Sequence, residues 1–229
     1  MRSLKQRIRD DEQMDDPSLD PIVYDEVLRG LGRVNVWTFA ARPTLDFLAR
    51  ATRGRDSFSL LDVGSGEGGM LRVIARWAKK RGLSARLSGV DLNPKSEGVA
   101  RALTPSGMPI TYRTGDYRDL GRFDLVVSSL VAHHMTDGQL RDFLRWMEGN
   151  SDRGWFVNDL HRHGFAYHAF PLLTILLRVH RIVREDGQLS IARSFRPGDW
   201  RRILADAGSG DGVKIRRYFP FRLCFERLR

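Results

Sequence analysis

The hydrophobic and polar positions of this chain follow two alternating patterns over residues 58–159. Short apolar runs typical of buried strands are each followed by a segment in which apolar residues recur at helical spacing. The runs are Leu60–Asp62, Ala85–Asp91, Ile110–Asp116, Phe123–Leu130 and Gly154–Asp159, and helical spacing is clearest in Met70–Lys80 and Asp137–Met147. Strands that alternate with helices predict an α/β fold built on a parallel sheet.

The segments that flank this region have other patterns. Residues 1–50 carry helical spacing from Pro17 onward, so we expect an N-terminal helical extension before a main domain over residues 51–229. Residues 161–195 break the alternation with the apolar stretch Phe165–Val179. Because this insertion follows the carboxyl end of a strand, where open α/β sheets bind ligands, we expect it to cap a substrate pocket. An ordinary pair of buried helices is the alternative.

The most informative segment is Leu60–Gly69, in which an apolar run ends in Asp62 and enters a glycine-rich turn before a helix. A strand that turns tightly into a helix leaves backbone N–H groups free at the helix N-terminus. Glycines let a ligand touch that backbone because no Cβ intervenes. The segment therefore predicts a nucleotide-type cofactor site. Gly64, Gly66 and Gly69 also satisfy the dinucleotide fingerprint G-x-G-x-x-G.

Asp62 favours one of the two cofactor classes that such a turn can bind. A carboxylate at the turn would repel the pyrophosphate of a dinucleotide. S-adenosylmethionine carries no phosphate, and its sulfonium and ammonium groups are both positive, which suits an aspartate. With Asp62, Gly64, Gly66 and Gly68 in place, the segment resembles motif I, D/E-x-G-x-G-x-G, of the class I S-adenosylmethionine-dependent methyltransferases.

The resemblance covers residues 58–159, since Asp91 and Asp116 end the second and third runs as the family pattern requires. It implies a Rossmann-like, doubly wound sheet of seven strands, mostly parallel with an antiparallel last strand, and S-adenosylmethionine as cofactor. A carboxylate at Asp91 can accept hydrogen bonds from both ribose hydroxyls. The resemblance places Asp116 on the adenine amino group, with Tyr117 beside the ring. The cofactor-binding residues that it implies are Asp62, Gly64, Ser65, Gly66, Asp91, Leu92, Asp116, Tyr117 and Ser128.

Two histidines are candidate catalytic bases. Methyl transfer to a hydroxyl is helped when a base removes the proton, and histidine suits that task at neutral pH. His133 matches the position of the base in small-molecule O-methyltransferases, with a packing role as the alternative, and for His134 packing is favoured. His161, just past the fifth run, is the second candidate, and Arg162 beside it could contact an anionic or phenolate acceptor. The histidine and acid spacing specifies no metal site.

Composition bears on partners and compartment. The net charge is +10, but arginine is spread along the whole chain, so general basicity is favoured over nucleic-acid binding. One cysteine, Cys224, excludes an internal disulfide and favours a reducing, cytoplasmic location. No apolar run approaches transmembrane length. A homodimer is compatible with the sequence.

These observations favour a methyltransferase that acts on a small molecule, through O-methylation of a phenolic or polyketide-like secondary metabolite. An RNA methyltransferase is the alternative that the charge suggests. A cofactor-binding partner subunit without turnover is a second alternative. An NAD-dependent oxidoreductase is disfavoured by Asp62 and by the want of a second catalytic domain.

Overall fold

A sheet of seven strands forms the centre of the molecule. The computed structural model describes residues 4–208, 210 and 212–229. The strands are β1 Ser57–Val63, β2 Ser84–Asp91, β3 Ile110–Thr114, β4 Phe123–Ser129, β5 Ser151–Leu160, β6 Lys214–Tyr218 and β7 Arg222–Leu228. Their order is β3-β2-β1-β4-β5-β7-β6, in which β1 to β5 are parallel and β7 is antiparallel to both β5 and β6. This arrangement confirms the Rossmann-like sheet with an antiparallel last strand.

Helices cover both faces of the sheet and its carboxyl edge. In the described part of the chain they are α1 Pro21–Trp37, α2 Arg42–Ala51, α3 Gly69–Lys80, α4 Pro94–Leu103, α5 Asp137–Asn150, α6 Gly164–Leu176, α7 Arg181–Arg193 and α8 Pro197–Asp206. The helices α1 and α2 precede the first strand, and α6 and α7 form the helical insertion after β5. The helix expected from Asp137 begins at that residue and continues to Asn150, three residues beyond the predicted end.

Side-chain alternation along β1 explains why the sheet is covered twice. Successive residues of a strand point to opposite faces. Leu60 lies in one buried apolar cluster with residues of α2, α3 and α4, whereas Leu61 lies in a second cluster with residues of α5 and α8. Both leucines are fully buried. A central strand that is apolar on both faces is what the continuous run in the sequence predicts.

The helices α1, α6 and α7 form a roof over the carboxyl edge of the sheet. Val27 and Val34 of α1 share a buried apolar cluster with Ile182 and Val183 of α7. Gly30 allows this approach, since a Cβ there would come within 3.1 Å of the Val183 side chain. The two helices therefore pack as one unit, although the whole central sheet region separates them in the sequence.

An N-terminal strap, residues 4–20, crosses the roof and the edge of the sheet. The guanidinium of Arg7 lies 3.8 Å from the Phe195 ring centroid and donates to Asp137 Oδ1 at 2.7 Å. The backbone N–H groups of Gln13 and Met14 donate to the Asp186 carboxylate at 3.0 and 2.9 Å. The contacts to Asp186 fix the strap against α7, and those of Arg7 fix it against α5 and the segment after α7.

Among the residues that the structure describes, no helix combines the length and the apolar character needed to cross a bilayer.

Candidate functional site

A cavity of about 920 Å³ lies between the carboxyl edge of the sheet and the roof. Its floor consists of residues that follow β1 to β5, and its walls come from α1, α6 and the strap. Pockets for small molecules span roughly 300–1,000 Å³, so this cavity has room for a cofactor together with a small second molecule.

The glycine-rich turn after β1 forms one end of the cavity. Gly64 has a positive φ of 73°, and a Cβ there would overlap the Val131 side chain. Gly66 also has a positive φ, 50°, but a Cβ there would meet no atom within 4 Å. The turn therefore needs glycine at the first position for its backbone conformation and packing, whereas at Gly66 the open space belongs to the cavity.

Asp62 is a buried carboxylate without a full set of partners. It is 2% exposed, lies in the cavity wall, and its Oδ1 accepts no hydrogen bond from the described residues. Burial, and then the charge of Asp91, raise the pKa of Asp62 to about 8. Burying a carboxylate without a partner is costly, so this end of the cavity is complementary to a cationic group.

Asp91, at the end of β2, is held by the backbone of the neighbouring loops. Its Oδ2 accepts the N–H of Gly66 at 2.8 Å, and its Oδ1 accepts the N–H of Asn93 at 2.9 Å. Burial raises the pKa of Asp91. Each carboxylate oxygen has a second lone pair, so Asp91 can still accept hydrogen bonds from a ligand.

Other predicted cofactor residues lie in the same wall. Ser65 donates its N–H to Val90 O at 3.1 Å, which fixes the turn against β2. Leu92 is 73% exposed at the rim of the cavity. Tyr117 packs edge-on against Phe143 at a centroid distance of 4.9 Å, which orients its ring in the wall.

Two predicted cofactor residues, Asp116 and Ser128, lie outside the cavity wall. The Asp116 carboxylate accepts hydrogen bonds from the Arg118 guanidinium at 3.0 Å, and its part in adenine binding stays a prediction. The Ser128 hydroxyl donates to Val63 O at 2.9 Å, within the sheet. Its neighbour Ser129 lies in the wall with an unpaired buried Oγ. A shift of one residue along a strand reverses the face, which is why Ser128 and Ser129 differ.

The structure brings His133 together with Asp159. His133 follows β4 in a short turn of 3-10 helix, Ala132–His134, and is 3% exposed. Its Nδ1 lies 2.7 Å from Asp159 Oδ1, and its backbone N–H donates to Asp159 Oδ2 at 2.8 Å. Burial alone would raise the pKa of Asp159, but the charge and hydrogen bonds of His133 hold it below its usual value. An N–H at Nδ1 leaves Nε2 free to accept a proton.

The strap adds Glu12, which the sequence analysis missed. Glu12 is 4% exposed, and its Oε1 lies 3.8 Å from His133 Nε2 and accepts the Ser190 hydroxyl at 2.7 Å. Burial, opposed by the charge of His134, raises the pKa of Glu12 to about 7. The only signal in the sequence is an acid in a highly charged segment without apolar periodicity, and that signal does not indicate burial.

Three side chains that can hold a cation, one carboxylate and two imidazoles, meet at this point. Glu12, His133 and His134 bring one ligand atom each within 4.8 Å of one another. The other ring nitrogen of His134 lies 3.0 Å from Asp15 Oδ2.

His161 and Arg162 lie at the end of β5. His161 lines the cavity and donates its backbone N–H to Phe221 O at 2.8 Å. Burial, and then the charge of Arg217, lower the pKa of His161. The Arg162 guanidinium donates to Ser194 O at 2.8 Å and to the Asp199 carboxylate at 3.0 Å. The donors of Arg162 are therefore used within the protein.

Arg222, at the start of β7, is another residue of the wall that the sequence analysis missed. It is 3% exposed, and its Nη2 donates to Thr38 Oγ1 at 3.2 Å. Its Nε and Nη1 have no hydrogen-bond partner in the described part of the chain. Burial lowers the pKa of Arg222, against the raising effect of the Cys224 and Asp159 charges.

Buried polar atoms without partners concentrate around the cavity. Among the described residues there are six such side-chain atoms, and four of them belong to Asp62, Ser129 and Arg222 of the wall. Unpaired buried groups are rare in folded proteins and often mark a place where a ligand completes the hydrogen bonding.

Comparisons with known proteins agree with this geometry. Residues 60–149 match the family model of a methyltransferase domain. The matched segment contains the glycine-rich turn and runs through β4 into α5. No curated protein matches the chain.

Solved methyltransferase structures share the fold. The plantazolicin methyltransferase BpumL in complex with SAH superposes with a TM-score of 0.63 at 14% identity, over 94% of this chain and 92% of that one. Human N-acetylserotonin methyltransferase in complex with SAM superposes with a TM-score of 0.62 at 15% identity, over 95% of this chain and 62% of that one. Magnesium protoporphyrin IX methyltransferase from Synechocystis PCC 6803 with bound SAM superposes with a TM-score of 0.55 at 17% identity, over 95% of this chain and 88% of that one. At these identities the likeness is one of fold.

Proposed function

We propose that this chain is a class I S-adenosylmethionine-dependent methyltransferase and that it methylates an oxygen atom of a small, largely apolar molecule. One observation carries the proposal. A single cavity is lined by the glycine-rich turn with Asp62 and also by His133, which Asp159 orients. Cofactor and acceptor can therefore meet inside one enclosed space.

The end of the cavity near Asp62 fits S-adenosylmethionine. The unpaired Asp62 carboxylate suits the cationic amino-acid part of the cofactor, and the open space at Gly66 suits close contact with the backbone. We assign Asp91 to the ribose hydroxyls and Tyr117 to the adenine side. The wall residues Gly64, Ser65 and Leu92 complete this part of the site. When bound, the cofactor supplies a methyl group on a positively charged sulfur.

His133 acts as the base in this proposal. Transfer breaks the sulfur–methyl bond and forms an oxygen–methyl bond, and the acceptor hydroxyl gives up its proton. The Nε2 of His133 takes that proton, because Asp159 occupies Nδ1 and stabilises the charged ring. His161 is the weaker candidate, since its lowered pKa makes it a poorer proton acceptor.

The other walls of the cavity suit an apolar acceptor. They include Leu28 and Leu31 of α1 and Phe170 and Leu173 of α6. Such walls exclude water from the methyl group and hold an aromatic or aliphatic body. We therefore favour a phenolic or polyketide-like acceptor of secondary metabolism.

The chain's thiol supports a reducing compartment. Cys224 is buried in β7, and burial raises the pKa of its thiol well above the usual range. A lone, inert thiol fits the cytoplasm, where disulfides are rare.

The test is a methylation assay with defined products. The protein is incubated with S-adenosylmethionine and hydroxylated aromatic compounds, each paired with its amino analogue, and products are identified by mass spectrometry. We expect methyl ethers from the hydroxyl compounds. Methylation of the amino analogues alone would contradict the assignment to oxygen. Cofactor binding without turnover of any compound would favour a partner subunit.

An RNA acceptor is tested in the same assay with purified RNA. Contacts to phosphates weaken steeply with salt. We expect no methyl transfer to RNA at low salt, because the cavity walls are mainly apolar. Transfer to RNA that disappears at high salt would favour the RNA alternative.

A further inference from the structure

We propose that Arg222 binds a carboxylate of the acceptor, so that the methylated molecule is a hydroxylated carboxylic acid with an apolar body. The inference deepens the proposed function, on which it rests for the nature of the acceptor. It starts from the charge that this chain leaves unpaired at the acceptor end of the cavity.

Arg222 differs from the other buried arginines near the cavity. Arg162 donates to Ser194 O and Asp199, and Arg193 donates to Asp10 O at 2.9 Å. Arg222 is as buried as these two, but only its Nη2 has a partner, the neutral hydroxyl of Thr38. Burying a guanidinium without an anionic partner costs free energy. We therefore expect a negatively charged group of the ligand to accept the remaining hydrogen bonds of Arg222.

The donor geometry of Arg222 selects a planar anion. A guanidinium has five N–H groups, and Thr38 accepts one of them. The Nε–Nη2 edge and the Nη1–Nη2 edge each present two nearly parallel donors. A carboxylate accepts two such bonds side by side, which an isolated hydroxyl cannot do.

The surroundings of Arg222 also favour an external anion. The negative charge of Asp159 raises the pKa of Arg222 and so stabilises its charged form. However, its Oδ1 is engaged by His133 Nδ1 and by the N–H of Leu160. Nearby, the charges of Arg217 and His163 lower the pKa of His161. Positive groups therefore lie beside Arg222 on the His161 side, in addition to the negative Asp159 on the His133 side.

The position of Arg222 fits the proposed chemistry. Asp159 interacts with both His133 and Arg222, so the proton acceptor and the anion contact belong to the same half of the cavity. A hydroxylated acid held by its carboxylate at Arg222 presents its hydroxyl to His133 with a restricted orientation. Such positioning increases the rate by keeping the reacting atoms aligned.

The test measures binding, without turnover, to the protein loaded with S-adenosylhomocysteine. The probes are 3-hydroxy-2-naphthoate, its methyl ester and 2-naphthol, followed by fluorescence. We expect the wild-type protein to bind the naphthoate roughly 10–100-fold more tightly than the ester. Arg222→Met should remove this preference and leave 2-naphthol binding unchanged, and Arg222→Lys should retain part of it. Arg201→Met, an exposed position of α8, is the matched control.

Each other outcome overturns the proposal. Equal binding of naphthoate and ester by the wild-type protein would do so, as would a preference that survives in Arg222→Met. A loss of S-adenosylhomocysteine affinity in Arg222→Met would assign Arg222 to the cofactor. A drop in melting temperature as large as that of Arg162→Met would make Arg222 a structural residue. Failure of O-methylation leaves these binding results intact, so the two proposals fail separately.

Discussion

The two ends of the cavity are built in different ways. The cofactor end uses short segments that directly follow β1, β2, β3 and β4, and the family match covers all of them. The rest of the cavity wall, to which we assign the acceptor, draws on the strap, α1, α6, the turn with His133 and the start of β7. The cofactor end is built from local segments of the chain, each of which is a loop that follows a strand. The acceptor end exists only when distant parts of the chain fold together.

The two ends also carry unpaired polar groups of different kinds, a carboxyl group and a guanidinium. Asp62 lacks a partner at the cofactor end, and Arg222 lacks partners at the acceptor end. The cavity is thus suited to a cation at one end and an anion at the other. Buried polar groups without hydrogen-bond partners can thus indicate the chemistry of a ligand at a site where no sequence motif identifies it.

Gly66→Val is the strongest way to disrupt the cofactor end. The new side chain would fill the open space beside the turn and would also be strained at the positive φ. We expect no measurable binding of S-adenosylmethionine by calorimetry, with a circular dichroism spectrum like that of the wild type. Gly54→Val, at a positive φ in an exposed loop, is the control for strain. Retained affinity in Gly66→Val would place the cofactor elsewhere.

His133→Ala tests the acceptor end. Loss of a general base should lower turnover by roughly 10²–10⁴-fold, with little change in cofactor affinity. The matched variant is His161→Ala, for which we expect a much smaller effect in the same steady-state assay. If the His161 variant is inactive and the His133 variant is near normal, the base belongs to the end of β5.

The pH dependence of cofactor binding tests the charge of Asp62. Its carboxyl, with a pKa of about 8, holds a proton in the empty site at neutral pH. That proton must leave when the cationic cofactor binds, so affinity should rise with pH, by up to about tenfold per unit below the pKa. Titrations at about pH 5.5 and about pH 7 measure the slope. Asp62→Asn should bind weakly with a flat profile, and a flat wild-type profile would contradict the pairing.

Chelation should produce the smallest effect. A free His133 Nε2 is needed for the base, so turnover should be unchanged after treatment with EDTA and gel filtration. Loss of turnover that a divalent cation restores would assign Glu12, His133 and His134 to a metal instead. The two ends would then differ in catalytic chemistry as well as in construction.

The sequence predicts much of the cofactor end because its signals are local. Asp62 and Asp91 stand at strand ends that the apolar runs define, and the turn between strand and helix follows from its glycines. The structure places Ser129 rather than Ser128 in the cavity wall, since a pattern locates a strand better than it determines which side chain faces the edge. Arg118 lies only two residues after Asp116 in the sequence. The sequence alone does not show that the two side chains form an ion pair.

The acceptor end is less predictable for a physical reason. Glu12 and Arg222 reach the cavity through contacts between segments far apart in the chain. The residues on either side of each in the sequence are typical of an exposed charged residue, so the local sequence does not indicate that either side chain is buried. His133 and His161 do have local signals, because they follow β4 and β5. The partner of His133, Asp159, lies in β5, and parallel pairing of β4 with β5 brings the two together.

The packing of α1 against α7 has a consequence for how such enzymes can be recombined. Val27 and Val34 fit Ile182 and Val183 side by side, and Gly30 makes room for Val183. A single crossover between two related genes anywhere from residue 38 to residue 180 would take α1 from one parent and α7 from the other. Exchange of residues 21–37 together with 181–193 would keep the matched pair. Chimeras with new acceptor ranges therefore require two coordinated exchanges, with the cofactor segments inherited unchanged between them.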